Sequence, residues 1–263
     1  MEHPVLNFLL DFFYPIHCVG CQKPKVWLCD NCSKKLELVE TPLCPVCQRP
    51  AISGFTHPFC QKRYTPERLI ILYRYQVPLS SLLKALKYRK HHDVRRALRG
   101  PIREGLEQIG LTVGEDAWLV PVPLHPWRQY LKRGFNQAEI VSQLLAEVLD
   151  LPVRPEVLKR VTYTSYQTRL SGEERQENVA GAFAVPQSCR SGIQGQDIIL
   201  VDDVFTTGAT LREAAATLKK AGARYVYLFA VAKSGFYKAR PQRSGERGRM
   251  TQEFTSLFCL FPL

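Results

Sequence analysis

Long hydrophobic runs are scarce in this 263-residue chain, and we expect no secretory leader. The most apolar early stretch, VLNFLLDFFYPI at residues 5–16, is interrupted by Asn7 and Asp11 and is too short to span a bilayer. It has neither a basic start nor a small-residue cleavage site. We therefore expect an amphipathic helix at 5–16, a cytoplasmic location and no membrane span.

Acidic residues are also scarce. The chain carries 24 Asp and Glu against 36 Lys and Arg, which gives a net charge of +12. This excess favours partners that carry phosphate, either a nucleic acid or a small phosphorylated ligand, and charge alone does not choose between them. With 45% apolar residues and this length, the chain has the material for one ordinary globular domain and a small module.

Cysteine is abundant in one short region. Cys18, Cys21, Cys29 and Cys32 form the pattern C-x2-C-x7-C-x2-C. Each pair sits on a tight turn, so that four thiolates can converge on one tetrahedral ion. A disulfide framework is the alternative, and the missing secretory signal argues against it. The pattern predicts a structural zinc site, because four protein ligands leave no open position for catalysis.

A second cysteine set is incomplete. It runs through Cys44, Cys47 and Cys60, but position 63, where a fourth cysteine is expected, is Arg. His57 lies three residues before Cys60 and would complete a Cys3His zinc site. The alternative is a degenerate knuckle without metal, and the residues leave both open.

Composition divides the chain into three parts. Seven of the nine cysteines lie at 18–60, the next stretch alternates apolar strand and helix patterns, and KARPQRSGERGRM at 238–250 is polar and basic. We predict a zinc-ribbon module at 1–64, a main domain at 65–237 and a loose basic tail at 238–263.

The main domain alternates predicted strands and helices. Strand composition marks 69–75, 118–124, 197–203 and 225–232, and helical spacing marks 78–88, 136–150 and 209–222. This alternation is typical of a three-layer α/β fold with a parallel sheet.

The stretch IILVDDVFTTGAT, residues 198–210, places Asp202 and Asp203 where an apolar strand ends. Ligands of parallel sheets bind beyond the carboxyl ends of the strands. The following TTGAT leads straight into a helix, whose N-terminus suits a phosphate, and Gly208 lets the backbone approach it closely. A ribose 5-phosphate fits both parts of the stretch, with its hydroxyls on the two carboxylates and its phosphate in the threonine loop. An acidic strand end followed by a Thr cap would explain only part of the pattern.

This stretch resembles the ribose-phosphate signature of type I phosphoribosyltransferases, which bind phosphoribosyl pyrophosphate (PRPP), usually with magnesium. The resemblance implies a type I phosphoribosyltransferase-like three-layer parallel sheet with a small N-terminal zinc-ribbon module. It also implies that Asp202 and Asp203 hold the ribose hydroxyls. The 5-phosphate would be held by Thr206, Thr207, Gly208, Ala209 and Thr210.

Further motifs resemble one branch of that superfamily, the ComF family of bacterial proteins tied to DNA uptake in natural competence. They are VPVPLHPWRQYLKRGFNQAE, ALKY, QTRLSGEERQENVAGAF and the cysteine-rich start. The resemblance implies a pyrophosphate loop containing Arg128, Arg133, Gly134, Asn136 and Gln137. Arginine grips phosphate oxygens with a planar fork, although solvated loop charges are the alternative. A segment covering the site would include Gln167, Thr168, Arg175 and Asn178.

Two functions follow from these features. One is a phosphoribosyltransferase with an unknown acceptor. An amidophosphoribosyltransferase is disfavoured, because such an enzyme uses an N-terminal catalytic cysteine and the first cysteine here, Cys18, belongs to the first zinc pattern. The other is a non-enzymatic adaptor that senses PRPP and holds single-stranded DNA or DNA-uptake proteins. Residues 84–103, with eight Lys or Arg and Tyr88, form a candidate DNA-binding helix or merely a solvated face, since Leu82, Leu83 and Leu86 occupy its core side.

Overall fold

The computed structural model describes residues 16–86, 91–111, 113–124, 135–161 and 181–235. The predicted helix at 5–16, apart from its last residue, and the basic tail at 238–263 lie outside these ranges. The strands are β1 (Arg68–Arg74), β2 (Trp118–Pro121), β3 (Lys159–Arg160), β4 (Phe183–Ala184), β5 (Ile198–Phe205) and β6 (Val226–Lys233). The helices are α1 (Asp30–Ser33), α2 (Leu79–Ala85), α3 (His91–Ile109), α4 (Gln137–Leu149) and α5 (Ala209–Lys220).

Four of the strands form a parallel sheet in the order β1-β6-β5-β2. In the register of its two central strands, Val201 opposes Phe229 and Asp202 opposes Ala230. The central strands are buried on both faces, as a parallel sheet between helices requires. The short strands β3 and β4 form a separate antiparallel pair. The α/β fold with a parallel sheet predicted from the sequence is confirmed.

Helices cover both faces of this sheet. Ile199 and Val201 point into one apolar cluster, which they share with α2, α3 and α4. Their neighbours Ile198 and Leu200 point into a second cluster, which is built with α5. The alternation follows from the two-residue period of a strand. The domain therefore has three layers, and the carboxyl ends of its strands meet at one edge.

The basic segment at 84–103 is not one helix. α2 ends at Ala85 and α3 begins at His91, and residues 87–90 lie outside the described ranges. Both helices bury apolar stripes in the same cluster, with Leu82 of α2 and Leu98 of α3 fully buried. Across the described ranges, every helix is too short or too polar to cross a membrane.

The cysteine-rich segment packs along the outer side of β1. The N–H of Val39 donates to the carbonyl of Leu72 at 2.9 Å, and the N–H of Arg74 donates to the carbonyl of Glu37 at 2.8 Å. Further along, the N–H of Thr56 donates to the carbonyl of Glu67 at 2.8 Å. Backbone hydrogen bonds thus continue the sheet from β1 into the small module.

Candidate functional site

Asp202 and Asp203 lie near the carboxyl end of β5, both half-buried. The neighbouring strand β2 has already ended there, after Pro121, although the N–H of Val122 still donates to the carbonyl of Val201 at 2.9 Å. One carboxylate oxygen of Asp202 accepts the N–H of Asp203 at 2.8 Å. The two aspartates therefore lie in the part of β5 that extends beyond its pairing with β2.

The predicted phosphate loop follows directly. Gly208 has φ 71° and precedes the first residue of α5, and the hydroxyl of Thr207 accepts the N–H of Ala209 at 3.5 Å. The first N–H groups of a helix have no acceptor within the helix, and its dipole favours an anion at that end. The described loop residues Thr206, Thr207, Gly208, Ala209 and Thr210 thus border a helix N-terminus beside the two aspartates. That arrangement suits a sugar phosphate, and the role of each residue stays a prediction.

The predicted pyrophosphate loop is described only at its end. Arg128, Arg133 and Gly134 lie outside the described residues, as do all four of the predicted covering positions at 167–178. Asn136 caps α4: its side-chain oxygen accepts the N–H of Ala138 at 3.2 Å, and its amide donates to the carbonyl of Val122 at 2.9 Å.

Gln137, the next residue, is buried. Its side-chain nitrogen has no hydrogen-bond partner among the described residues. A buried amide donor without a partner is unusual, and the role of Gln137 in the pyrophosphate loop stays a prediction.

Two residues at this edge were missed by sequence reasoning. Lys233, the last residue of β6, is 5% exposed and lies with its Nζ 5.2 Å from the ring centre of Phe205. Burial lowers the pKa of Lys233 below its ordinary value. Tyr75 follows β1, and burial together with the Asp203 carboxylate raises its pKa. Their position in the sequence could have indicated them, because both residues lie at the carboxyl ends of strands and the carboxyl ends of parallel strands share one edge of the sheet.

The first cysteine group is assembled as predicted. The sulfur atoms of Cys18, Cys21, Cys29 and Cys32 all lie within 4.8 Å of one another. The Sγ atoms of Cys18 and Cys29 are 3.7 Å apart, and those of Cys21 and Cys29 are 3.5 Å apart. These distances are far too long for disulfides and close to the roughly 3.8 Å edge of a tetrahedron with 2.3 Å zinc–sulfur bonds.

The second group brings His57 together with Cys44, Cys47 and Cys60, again within 4.8 Å. Nδ1 of His57 is 3.3 Å from the sulfur of Cys47, and Nε2 lies 2.9 Å from the carbonyl of Pro50. A proton on Nε2 donates to that carbonyl and leaves the lone pair of Nδ1 facing the cysteines, as in many metal-bound histidines. The chemistry of both groups fits structural zinc.

The basic segment is partly engaged within the protein. Arg95 and Arg99 of α3 both form ion pairs with Glu147 of α4. Lys84 and Arg96 are exposed, whereas Lys87, Tyr88, Arg89 and Lys90 lie outside the described residues. The prediction that this segment binds single-stranded DNA therefore rests on fewer described charges than the sequence offers.

Comparison with known proteins agrees with this architecture. A double zinc ribbon domain model matches residues 9–63, and a phosphoribosyl transferase domain model matches residues 131–256. Competence protein F of Haemophilus influenzae is 30% identical over 232 residues, which cover 84% of this chain and 99% of that protein. DNA utilization protein YhgH of Escherichia coli is 31% identical over 228 residues, covering 82% and 96%. Competence protein ComFC of Bacillus subtilis is 28% identical over 207 residues, covering 76% and 81%.

Among solved structures, a hypoxanthine phosphoribosyl transferase of Trypanosoma cruzi matches 67% of this chain and 72% of its own, at 16% identity. Its TM-score of 0.31 is too low to add to the family assignment. The two domain models and the near-complete overlap with the Haemophilus and Escherichia relatives are sufficient. The chain belongs to the ComF family, in which a double zinc ribbon precedes a phosphoribosyltransferase domain.

Proposed function

We propose that this protein binds PRPP at the carboxyl end of β5 and transfers its phosphoribosyl group to an acceptor during DNA uptake. One observation carries the proposal: two adjacent aspartates at a strand end lead into a left-handed glycine that opens a helix. In this arrangement the carboxylates would accept the ribose hydroxyls and the helix end would hold the 5-phosphate. The names of the relatives, competence protein and DNA utilization protein, support the biological setting.

The chemistry requires the C1–oxygen bond of PRPP to break while a bond from C1 to the acceptor forms. Pyrophosphate leaves with the bonding electron pair as positive charge develops on the ribose. Asp202 and Asp203 would fix the sugar through its hydroxyls, and their negative charge would favour the developing cation. Magnesium, bound with PRPP, would supply neutralisation of the leaving group. Lys233 and Gln137 are further cationic and amide donors from this chain at the same edge.

Calorimetric titration with PRPP and magnesium tests the proposal. We expect binding by the wild-type protein and its loss in the double variant Asp202→Asn with Asp203→Asn. The matched control is Asp197→Asn, which removes a carboxylate next to the other end of β5, where Asp197 forms an ion pair with Arg224. The control should bind PRPP normally. Unchanged binding in the double variant would overturn the assignment.

A second candidate is an adaptor that senses PRPP without turnover and holds single-stranded DNA. This candidate is favoured by a surface on the second knuckle, the segment 44–60 that carries the Cys3His group. Phe59 is 76% exposed and stacks on His57 with ring centres 5.0 Å apart, and Phe55 is 49% exposed beneath the guanidinium of Arg68. Exposed aromatic rings, one of them beside an arginine, suit stacking of unpaired bases.

Turnover separates the two candidates. A transferase releases pyrophosphate from PRPP when a suitable acceptor is present, and a sensor binds PRPP and leaves it intact. A screen of free bases, nucleosides and single-stranded DNA, followed by pyrophosphate release, therefore identifies the acceptor or shows that there is none among them.

A further inference from the structure

The second knuckle touches the predicted phosphate loop. The side-chain amide of Gln48 donates to the carbonyl of Thr207 at 3.0 Å, across 159 positions of sequence. The Nη1 of Arg212 donates to the same carbonyl at 2.8 Å and to the carbonyl of Pro45 at 3.2 Å. The Nζ of Lys233 donates to the side-chain oxygen of Gln48 at 3.2 Å. One peptide of the phosphate loop is thus held by the zinc ribbon and by α5 together.

The knuckle fixes the direction of Gln48. Its backbone adopts φ 57°, and its N–H donates to the carbonyl of Cys44 at 3.0 Å, closing the turn that carries Cys44 and Cys47. The side chain of Gln48 is half-buried, and its amide points toward the carbonyl of Thr207. Organisation of the turn by the Cys3His group places this donor.

The first knuckle repeats the same turn without the contact. Gln22, 26 positions before Gln48, has φ 65° and an N–H that donates to the carbonyl of Cys18 at 3.0 Å. Its side chain is exposed, whereas that of Gln48 is half-buried. The turn thus accounts for the backbone of both glutamines, and the loop contact distinguishes Gln48.

We propose that Gln48 is a positioning residue for the phosphate loop, through which the second Cys3His group sets the affinity for a 5-phosphate. The inference rests on the proposed function for its ligand. Its physical basis is the planar trans peptide, in which a carbonyl and the following N–H point in opposite directions. Because Gln48 and Arg212 hold the carbonyl of Thr207, the N–H of Gly208 is directed to the other side of the loop, where an anion can accept it.

A loop held in its binding geometry before the ligand arrives loses less conformational freedom on binding. Without Gln48 the peptide is held by Arg212 alone. Loss of one hydrogen bond of ordinary strength corresponds to roughly a three- to tenfold change in an equilibrium. We expect ribose 5-phosphate to bind the Gln48→Leu variant about three- to tenfold more weakly than the wild type.

The experiment compares Gln48→Leu with Gln22→Leu, which makes the same change at the matching turn. Three quantities are measured on the full chain: zinc content, the dissociation constant for ribose 5-phosphate, and amide hydrogen exchange of the peptide covering residues 205–211 without ligand. We expect unchanged zinc in both variants, and weaker binding and faster exchange only in Gln48→Leu. If Gln48→Leu loses zinc, Gln48→Met replaces it, because it keeps the approximate length of the side chain and removes the donor without adding a charge.

The exchange measurement separates failure of this inference from failure of the proposed function. If the wild type binds neither PRPP nor ribose 5-phosphate, the proposed function is wrong, and faster exchange confined to Gln48→Leu still supports the positioning role. If loop exchange and affinity in the Gln48 variant equal those of Gln22→Leu, the positioning role is overturned.

Discussion

The ring of Phe205 fills the space beside Gly208, so that a Cβ on residue 208 would lie 2.4 Å from Cζ of Phe205. The guanidinium of Arg212 closes the same space, with Nη1 2.9 Å from that position. Gly208 also needs its positive φ to turn β5 into α5. Lack of space for a Cβ and the positive φ therefore each restrict position 208, in the predicted phosphate loop, to glycine.

The first prediction uses Gly208→Ala. Alanine in the left-handed region costs about 1 to 2 kcal/mol, and overpacking against the Phe205 ring adds roughly 1 to 3 kcal/mol. The control is Gly110→Ala, which also has a positive φ, of 56°, but no atom within 4 Å of the added Cβ. Urea unfolding should show a clearly larger loss for Gly208→Ala, with weaker ribose 5-phosphate binding. Equal losses would mean that the ring moves aside at no cost.

Zinc content provides the second prediction. Purified protein should contain two equivalents of zinc per chain, because both cysteine groups converge with ligand spacing. His57→Ala should lower the content to one equivalent, while His57→Cys should keep two by restoring a fourth thiolate. Elemental analysis measures each value. A wild-type content of one equivalent would show that the second group does not hold metal.

The third prediction concerns Lys233 and pH. Burial lowers its pKa below the ordinary 10.5, so the unfolded chain binds more protons than the folded chain at pH values between the folded pKa and 10.5. This group therefore makes stability rise with pH across that window. Lys233→Met removes the buried charge, and the variant should unfold at a higher urea concentration at pH 7. The advantage of the variant should shrink as pH approaches 10.5. A constant difference at every pH would contradict this origin.

The fourth prediction concerns single-stranded DNA. Phe59→Ser should weaken binding by about 1 to 3 kcal/mol if a base stacks on the ring. The salt dependence should not change, because no phosphate contact is removed. Ile52→Ser is the control: Ile52 is 86% exposed in the same module and has no aromatic ring. Fluorescence anisotropy over a salt series measures both. Equal affinity of the two variants would remove stacking on Phe59 from the adaptor model.

Much of the scaffold could be predicted because its signals are local. The run before Asp202 is apolar throughout and the following helix ends before a glycine, so the sequence predicts β5 and α5 within two residues of their observed bounds. Cysteine spacing likewise predicted the first ligand group, whereas it left the second group, with His57, open until the structure brought its four residues together.

The contacts between distant segments could not be predicted. Gln48 meets Thr207 and Lys233 only after the ribbon has packed on the sheet, and 159 and 185 positions separate these pairs. Hydrophobic periodicity predicts helices and strands, and it does not predict a contact between side chains so far apart in the sequence. The partners of the basic segment could not be predicted either, because a run of Lys and Arg does not reveal that Glu147 on another helix pairs with two of them.

The hydrogen bonds from residues 37–39 and 56 to the outer side of β1 have one more consequence. Without them, β1 would present a row of unpaired N–H and C=O groups, which is a template for joining other chains. The ribbon is a small segment organised around thiolates, and domains of this kind unfold when their metal is withdrawn. Metal starvation is therefore expected to expose this edge and drive the protein into aggregates, so that a cell short of zinc loses the phosphoribosyltransferase domain together with the ribbon.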